Sequence, residues 1–211
     1  MDRYRTTFAT WNKVADQYAD AFMDLDIYDN TYIKFLDILP SPTSTILEVG
    51  CGPGNLTRNI LSKKTSLDWL GIDIAPKMVE RAKKFNPKAK FLVMDGRAIH
   101  TLNSSFDGII CGFFLPYISA EEVDCFIRDC HTLLASKGIL YLSFVNGDPN
   151  ESGFINNSQG DKMYFHYHRK ERINHQLIDE GFQVLHNITL SYKKKEGTSE
   201  KHSILIAQKI T

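Results

Sequence analysis

Ile46-Leu47-Glu48-Val49-Gly50-Cys51-Gly52-Pro53-Gly54-Asn55-Leu56-Thr57 reads as a buried strand, an acidic residue near its end, a tight glycine turn and a helix start. Glycine at positions 50, 52 and 54 lets the backbone turn sharply and leaves no Cβ to hold a ligand away. Such a loop at the carboxyl end of a first parallel strand is where an α/β sheet binds a nucleotide-like cofactor. The dinucleotide fingerprint Gly-x-Gly-x-x-Gly is not met. Counted from Gly50 its third glycine falls on Asn55, and counted from Gly52 it falls on Thr57. Glu48, just before the turn, would repel a pyrophosphate and suits a cationic ligand. The combination points away from NAD and toward a positively charged adenosine cofactor.

Around this loop the pattern alternates. Strands are expected over 45–49, 67–72, 90–94, 106–111 and 138–145. Helices are expected over 55–63, 76–85 and 120–135, the last capped by Ser119 with Glu122 three residues on, and a short irregular helix over 97–102. Alternation of this kind means parallel strands with right-handed helical crossovers. Residues 8–39 read as helix in two pieces, carried by Phe8, Trp11, Ala15, Tyr18 and Phe22 and then by Tyr32, Phe35, Leu36 and Leu39, and ended by Pro40-Ser41-Pro42. Residues 146–162 are rich in Asn, Gly, Ser and Asp and read as an exposed loop. A helix near 170–180 stops at Gly181, and strands over 182–192 and 202–209 follow, joined by a polar link too short for a parallel return. The expected fold is a Rossmann-like, doubly wound, seven-stranded mostly parallel α/β sheet with a carboxyl-terminal antiparallel hairpin. It forms one domain over 1–211, with an amino-terminal helical cap over 1–40 and an acceptor-side loop region over 146–169.

The chain has 211 residues and a formal net charge of zero, so no global charge draws it to nucleic acid or an anionic membrane. No signal-peptide core and no apolar run of the ~20 residues a membrane span needs stands in the sequence. The four cysteines form no Cys-x-x-Cys pair, and reduced thiols in a cytoplasmic protein are expected.

Two further acidic strand ends and a fourth strand complete the pattern. Asp73 in Leu70-Gly71-Ile72-Asp73-Ile74 is placed to accept hydrogen bonds from ribose hydroxyls. Asp95 stands in Val93-Met94-Asp95-Gly96, and Phe106-Asp107-Gly108-Ile109-Ile110-Cys111-Gly112-Phe113 supplies the fourth strand. Each has a plain alternative: a glycine triplet is also a tight turn, Asp73 also a helix cap, and Asp95-Gly96 a common turn pair. Their occurrence together, in order, at successive strand ends favours a cofactor site. From about residue 8 to the end, and most specifically over 46–113, the chain resembles the class I S-adenosylmethionine-dependent methyltransferases, in particular their small-molecule branch.

The resemblance implies that the loop of Gly50, Cys51, Gly52 and Gly54 passes under the methionine part of S-adenosylmethionine, with Glu48 facing its amino end. It implies Asp73 as ribose anchor, Ile74 against the adenine face, Met78 beside them, Asp95 on the adenine amine, a backbone amide at Gly96 or Arg97 on a ring nitrogen, and Phe113 at the methyl. Trp11, Ala15 and Tyr18 resemble the lid of small-molecule members, which places Tyr18 on the cofactor. Acceptor contacts are expected from Trp11, Phe114, Tyr117, Tyr164 and His166, and Tyr117 is the candidate for touching the acceptor or its proton. Gly112-Phe113-Phe114-Leu115-Pro116-Tyr117 departs from the Asn/Asp-Pro-Pro-Tyr of enzymes that methylate amino groups of bases or glutamine. His166-x-His168 lacks a third ligand, so no metal is expected. Lys193–Lys195 reads as a solvated turn with no aromatic-interleaved basic surface for nucleic acid. The expected function is methyl transfer to a small-molecule acceptor by in-line displacement. The alternatives are a cofactor-binding module without turnover and a methyltransferase of RNA or protein.

Overall fold

The computed structural model describes residues 2–157, 159–194 and 197–210. Its sheet grows from the glycine-loop strand outward. β1 (Thr45–Val49) pairs in parallel with β2 (Asp68–Asp73) on one side and β4 (Phe106–Gly112) on the other. β3 (Lys90–Val93) extends the first side, and β5 (Leu134–Val145) the second. The hairpin of β8 (Phe182–Lys193) and β9 (Ser199–Lys209) closes the sheet antiparallel, giving the seven-strand order β3-β2-β1-β4-β5-β9-β8. The doubly wound sheet with its hairpin ending is therefore present as expected. Lys195, within the expected basic turn, lies outside the described residues.

The central parallel strands β1, β4 and β5 are buried on both faces, and alternate residues feed two cores. Leu47, Val49, Ile109, Cys111, Leu140 and Leu142 point to one face, which is covered by α6 (Ala120–Leu133) and α7 (Lys170–Asp179). Ile46, Ile110, Ile139 and Tyr141 point to the other, covered by α3 (Asp29–Asp37) and α4 (Asn55–Lys63). α5 (Pro76–Phe85) packs Val79 and Ala82 on Phe91 and Cys51 at the β3 edge. No helix among the described residues is long and apolar enough to cross a membrane.

Three differences from the sequence reading matter. The amino-terminal segment forms three helices, α1 (Arg3–Lys13), α2 (Ala15–Phe22) and α3, not two. Val14 (φ −91°, ψ 9°) breaks the first pair, although its amide still bonds Thr10 and its carbonyl still receives Tyr18. Second, β5 starts four residues before Gly138. It continues straight from α6 through an irregular register between the Phe106–Leu134 and Gly108–Ile139 pairs, with Lys137 at φ 61°. Third, the expected loop at 146–162 contains β6 (Gly153–Asn156), which pairs antiparallel with β7 (Lys162–Phe165). The Asn157 carboxamide closes that ribbon by accepting the amides of Gln159 and Asp161, and Phe154 packs edge-on against Tyr164. Polar composition had hidden an Asx turn between two short strands.

Gly54 marks where loop geometry constrains sequence. It lies at φ 82°, and a Cβ there would sit 2.4 Å from Asn86 Nδ2 and 3.1 Å from the Ala82 backbone. Gly54→Ala should therefore cost about 2 kcal/mol or more in urea unfolding, from left-handed strain plus the clash. Gly153→Ala, with open space around it, should change stability by under about 0.5 kcal/mol. Equal effects of the two would refute this reading of the loop.

Candidate functional site

The carboxyl ends of β1, β2 and β4 converge on the glycine loop. The amides of Gly50 and Cys51 both bond the Ile72 carbonyl at 2.9 Å, so the loop is stitched to the end of β2. Asp73 completes the seam: one carboxylate oxygen accepts the Gly52 amide at 2.9 Å and the other the Ala75 amide at 2.8 Å. Burial pushes the Asp73 carboxyl up from its ordinary value against the opposing pull of these amides. Each oxygen keeps acceptor capacity for a hydroxyl.

The three loop glycines do different work. A Cβ on Gly50 would press on Phe114 at 3.1 Å, and one on Gly54 would strike Asn86 and Ala82. A Cβ on Gly52 would meet only the Tyr18 ring edge, at 4.0 Å. Gly52 thus faces a gap roofed by α2, and a ligand laid on the loop would occupy it. Cys51 is buried with its side chain among Gly71, Phe91, Val79 and Ala82, so it offers the site its backbone.

Glu48 sits on the core side of β1, only 2% exposed. Its Oε2 accepts both the Thr57 hydroxyl of α4 and the Trp69 indole N–H, the latter at 3.0 Å. Burial outweighs these donors and pushes its carboxyl up to about 8. Glu48 is thus a buried strut between β1, β2 and α4.

At the end of β3, both Asp95 oxygens are taken by Arg97: the amide at 2.9 Å and the guanidinium in a fork at 2.6–3.1 Å. Arg97 also reaches Glu122 at 3.2 Å and lies 4.1 Å over the Tyr4 ring, while Tyr4 donates its hydroxyl to Glu122. Gly96 is buried against Val49 and Phe114. Ile74 is 38% exposed beside the loop, and Met78 is buried under Trp11 and Tyr18 with Ala15 and Ala75.

Above the loop stands an aromatic cluster. Trp11 meets Tyr18 at 5.2 Å and Tyr117 at 5.4 Å, both edge-on, and Tyr117 meets Phe165 at 5.9 Å. The Trp11 indole nitrogen is buried without a hydrogen-bond partner. Burial, with Asp73 nearby, pushes the Tyr18 phenol well up, and burial does the same to Tyr117. α1 is clipped to β7 by Thr10, which donates to the Lys162 carbonyl at 2.5 Å, and by Thr7, which accepts the Tyr164 amide at 2.9 Å.

The structure thus gathers Trp11, Tyr18, Gly52, Asp73 and Tyr117 into one region. Phe114 is turned away into the core against Phe126, 5.3 Å off, beneath the loop. Tyr164 and His166 lie behind Tyr117 on the β7 side. The His166 amide bonds the Pro116 carbonyl at 2.7 Å, and burial pushes its imidazole down to about 4, with Nε2 unpartnered. His168 holds the Leu115 carbonyl through Nε2 at 2.9 Å. Sequence reading missed Tyr28 and His202, which meet Phe113 at the end of β4, and Tyr192 and Glu200, which meet His202. Only the pairing of Val145 with His202 brings them there, and no local spacing marks it. Among the described residues no group of three His, Cys, Asp or Glu is placed to hold a metal ion.

Residues 46–138 match the family model described as a methyltransferase domain. The chain is 44% identical over 114 residues to the 2-methyl-6-phytyl-1,4-hydroquinone methyltransferase of Synechocystis sp., a match covering 53% of this chain and 35% of that protein. It is 27% identical over 153 residues to putative methyltransferase 235L of Invertebrate iridescent virus 6, covering 72% of this chain and 55% of that one. The chain thus spans little more than half the length of these relatives, or less. Among solved structures, the Burkholderia thailandensis 1,6-didemethyltoxoflavin-N1-methyltransferase with bound S-adenosylhomocysteine superposes with TM-score 0.72 at 16% identity, covering 98% of this chain and 88% of that one. That likeness is one of fold.

The buried Glu48 carboxyl predicts a pH signature. Folded, it keeps its proton up to about pH 8, whereas unfolded it ionises near its ordinary 4.5. Between those values unfolding releases a proton, so stability falls as pH rises. Glu48→Gln keeps the shape and an oxygen for Thr57 and Trp69 without titrating. In urea unfolding it should match the parent near pH 5 and exceed it by a few kcal/mol, as an order of magnitude, at pH 8. A difference independent of pH would contradict the assignment.

Proposed function

We propose that residues 46–138, which match a methyltransferase-domain model, form a class I S-adenosylmethionine-dependent methyltransferase domain, and that the chain transfers a methyl group to a small-molecule acceptor. The carrying observation is the Asp73–Gly52 seam. A carboxylate bonded to the loop amide sits beside the one loop glycine with open space above it. These residues fit the cofactor. Asp73 would take the ribose hydroxyls, Gly50–Gly54 the methionine part, and Ile74 and Met78 the adenine side. Asp95 would reach the adenine amine only by sharing its carboxylate with Arg97. Glu48 acts from behind, holding the loop strand against α4 rather than touching the ligand.

Bound, S-adenosylmethionine supplies an electrophilic methyl on a sulfonium whose bonding pair leaves with sulfur. The chain's own contribution is alignment and exclusion of water, effects worth up to ~7–11 kcal/mol in favourable intramolecular models. Trp11, Tyr18 and Tyr117 form the roof that keeps water out, and Phe113 closes the acceptor side. Residues 1–40 serve as the cap and 146–169 as the acceptor-side wall of a single domain. Relatives that act on hydroquinone and toxoflavin precursors support a small ring-bearing acceptor. The zero net charge gives an RNA acceptor no support.

Calorimetric titration should show binding of S-adenosylmethionine and S-adenosylhomocysteine but not NAD. Asp73→Ala should weaken both by roughly 10–100-fold, the loss of hydrogen bonds to a charged group. Tight NAD binding, or an unchanged affinity in Asp73→Ala, would remove the assignment. Incubation with methyl-labelled S-adenosylmethionine and a small-metabolite extract should yield a labelled product. Cofactor binding with no label transferred would favour a module without turnover.

A further inference from the structure

Three polar side chains that the proposed cofactor site leaves unused meet on its acceptor side. Tyr28 precedes α3, whereas Glu200 and His202 project from β9. His202 pairs with Val145, two residues past the Ser143 that faces Gly112, so it stands at the carboxyl edge of the sheet beside the end of β4. The Tyr28 hydroxyl lies 2.6 Å from His202 Nδ1, and His202 Nε2 lies 3.5 Å from the Glu200 carboxylate. Tyr192 of β8 stacks on the His202 ring at 4.9 Å, and Phe113 meets it edge-on at 4.8 Å. Tyr28 and His202 are both buried.

Two observations lift this above core packing. Phe113 takes a left-handed φ of 59°, a strained conformation for a phenylalanine, and in it the ring touches both Tyr28, at 5.3 Å, and His202. The residue that follows β4 is therefore seated on this cluster. The chain of contacts is also ordered: carboxylate, imidazole, hydroxyl, with each member oriented by the one behind it. The His202 hydrogen bond, with Lys194 paired to the same carboxylate, holds Glu200 below its ordinary value and so ionised. A carboxylate on Nε2 places the ring proton there and leaves Nδ1 to accept from Tyr28. The titratable groups facing His202 among the described residues are Tyr28, Tyr192 and Glu200, with Lys194 behind Glu200.

We propose that Tyr28, His202 and Glu200 form a proton relay for an acceptor that presents a hydroxyl group. The proposal rests on the methyl-transfer reading above. Tyr28 is the group that touches the acceptor, and His202 and Glu200 are positioning residues. The acceptor O–H proton passes to the Tyr28 oxygen as the phenol's own proton passes to Nδ1 of His202. This leaves an imidazolium beside the Glu200 carboxylate, so no free tyrosinate forms. The acceptor oxygen keeps the electron pair of its O–H bond for the new bond to carbon, and the proton returns to water once product has left. A neutral amine acceptor, nucleophilic enough to attack before it loses a proton, would need no such relay.

The test uses the full chain saturated with S-adenosylhomocysteine and two isosteric probes, 4-nitrophenol and 4-nitroaniline. The hydroxyl probe should bind at least 10-fold more tightly. Tyr28→Phe should abolish that preference while leaving S-adenosylhomocysteine affinity unchanged, which also reports that the variant folds. Ring-nitrogen NMR should show His202 as the Nε2–H tautomer, and Glu200→Gln should erode that tautomer preference. Equal binding of the two probes, a preference that survives Tyr28→Phe, or an Nδ1–H tautomer would overturn the relay. Failure of the parent chain to bind S-adenosylhomocysteine would instead remove the methyl-transfer reading on which the relay stands.

Discussion

The Asp73 carboxylate holds the site together. It spans from the end of β2 to the Gly52 amide of the loop after β1, and to the Ala75 amide that opens α5. Hydrogen bonds to a charged group contribute about 1.5–3 kcal/mol each, enough to hold a loop whose glycines all sit at positive φ. The same side chain thus orders the cradle and presents the acceptors that would recognise a ribose. Burial raises the cost of its charge, and the two amides offset part of that cost. A loop built this way is preorganised before any ligand arrives, which lowers the ordering cost of binding.

Much of the scaffold was legible because alternating strand and helix patterns, proline and glycine punctuation, and the Ser119–Glu122 capping box are local signals. What was not legible depends on which face a side chain takes or on pairing across long sequence gaps. Glu48 looked like a ligand-facing charge. Yet it alternates with Leu47 and Val49, and so falls on the α4 face of β1, where Thr57 and Trp69 receive it. Phe114 follows Phe113 by one residue, but the left-handed turn at Phe113 sends the two rings to opposite cores. His202 gave no motif, because its role arises only when β9 inserts beside β5, 174 residues away in sequence from its Tyr28 partner.

The amino-terminal cap is tied down at both ends of the site. Tyr4 reaches the Glu122 that caps α6, and Glu122 pairs with the Arg97 that grips Asp95, so the first helix is linked to the turn after β3. At its other end the helix is clipped to β7 by Thr7 and Thr10, and α2 brings Tyr18 over Gly52. The Arg97 ion pairs to Asp95 and Glu122 are only partly buried and individually weak.

A crystal structure of the S-adenosylhomocysteine complex tests the account most directly. The account predicts the ligand along Gly50–Gly54, with both ribose hydroxyls on Asp73, Tyr18 above Gly52, and the sulfur turned toward Phe113 and the Tyr28–His202 pair. A ligand bound elsewhere, or bound in this cleft with Asp73 still engaging only Gly52 and Ala75, would contradict it.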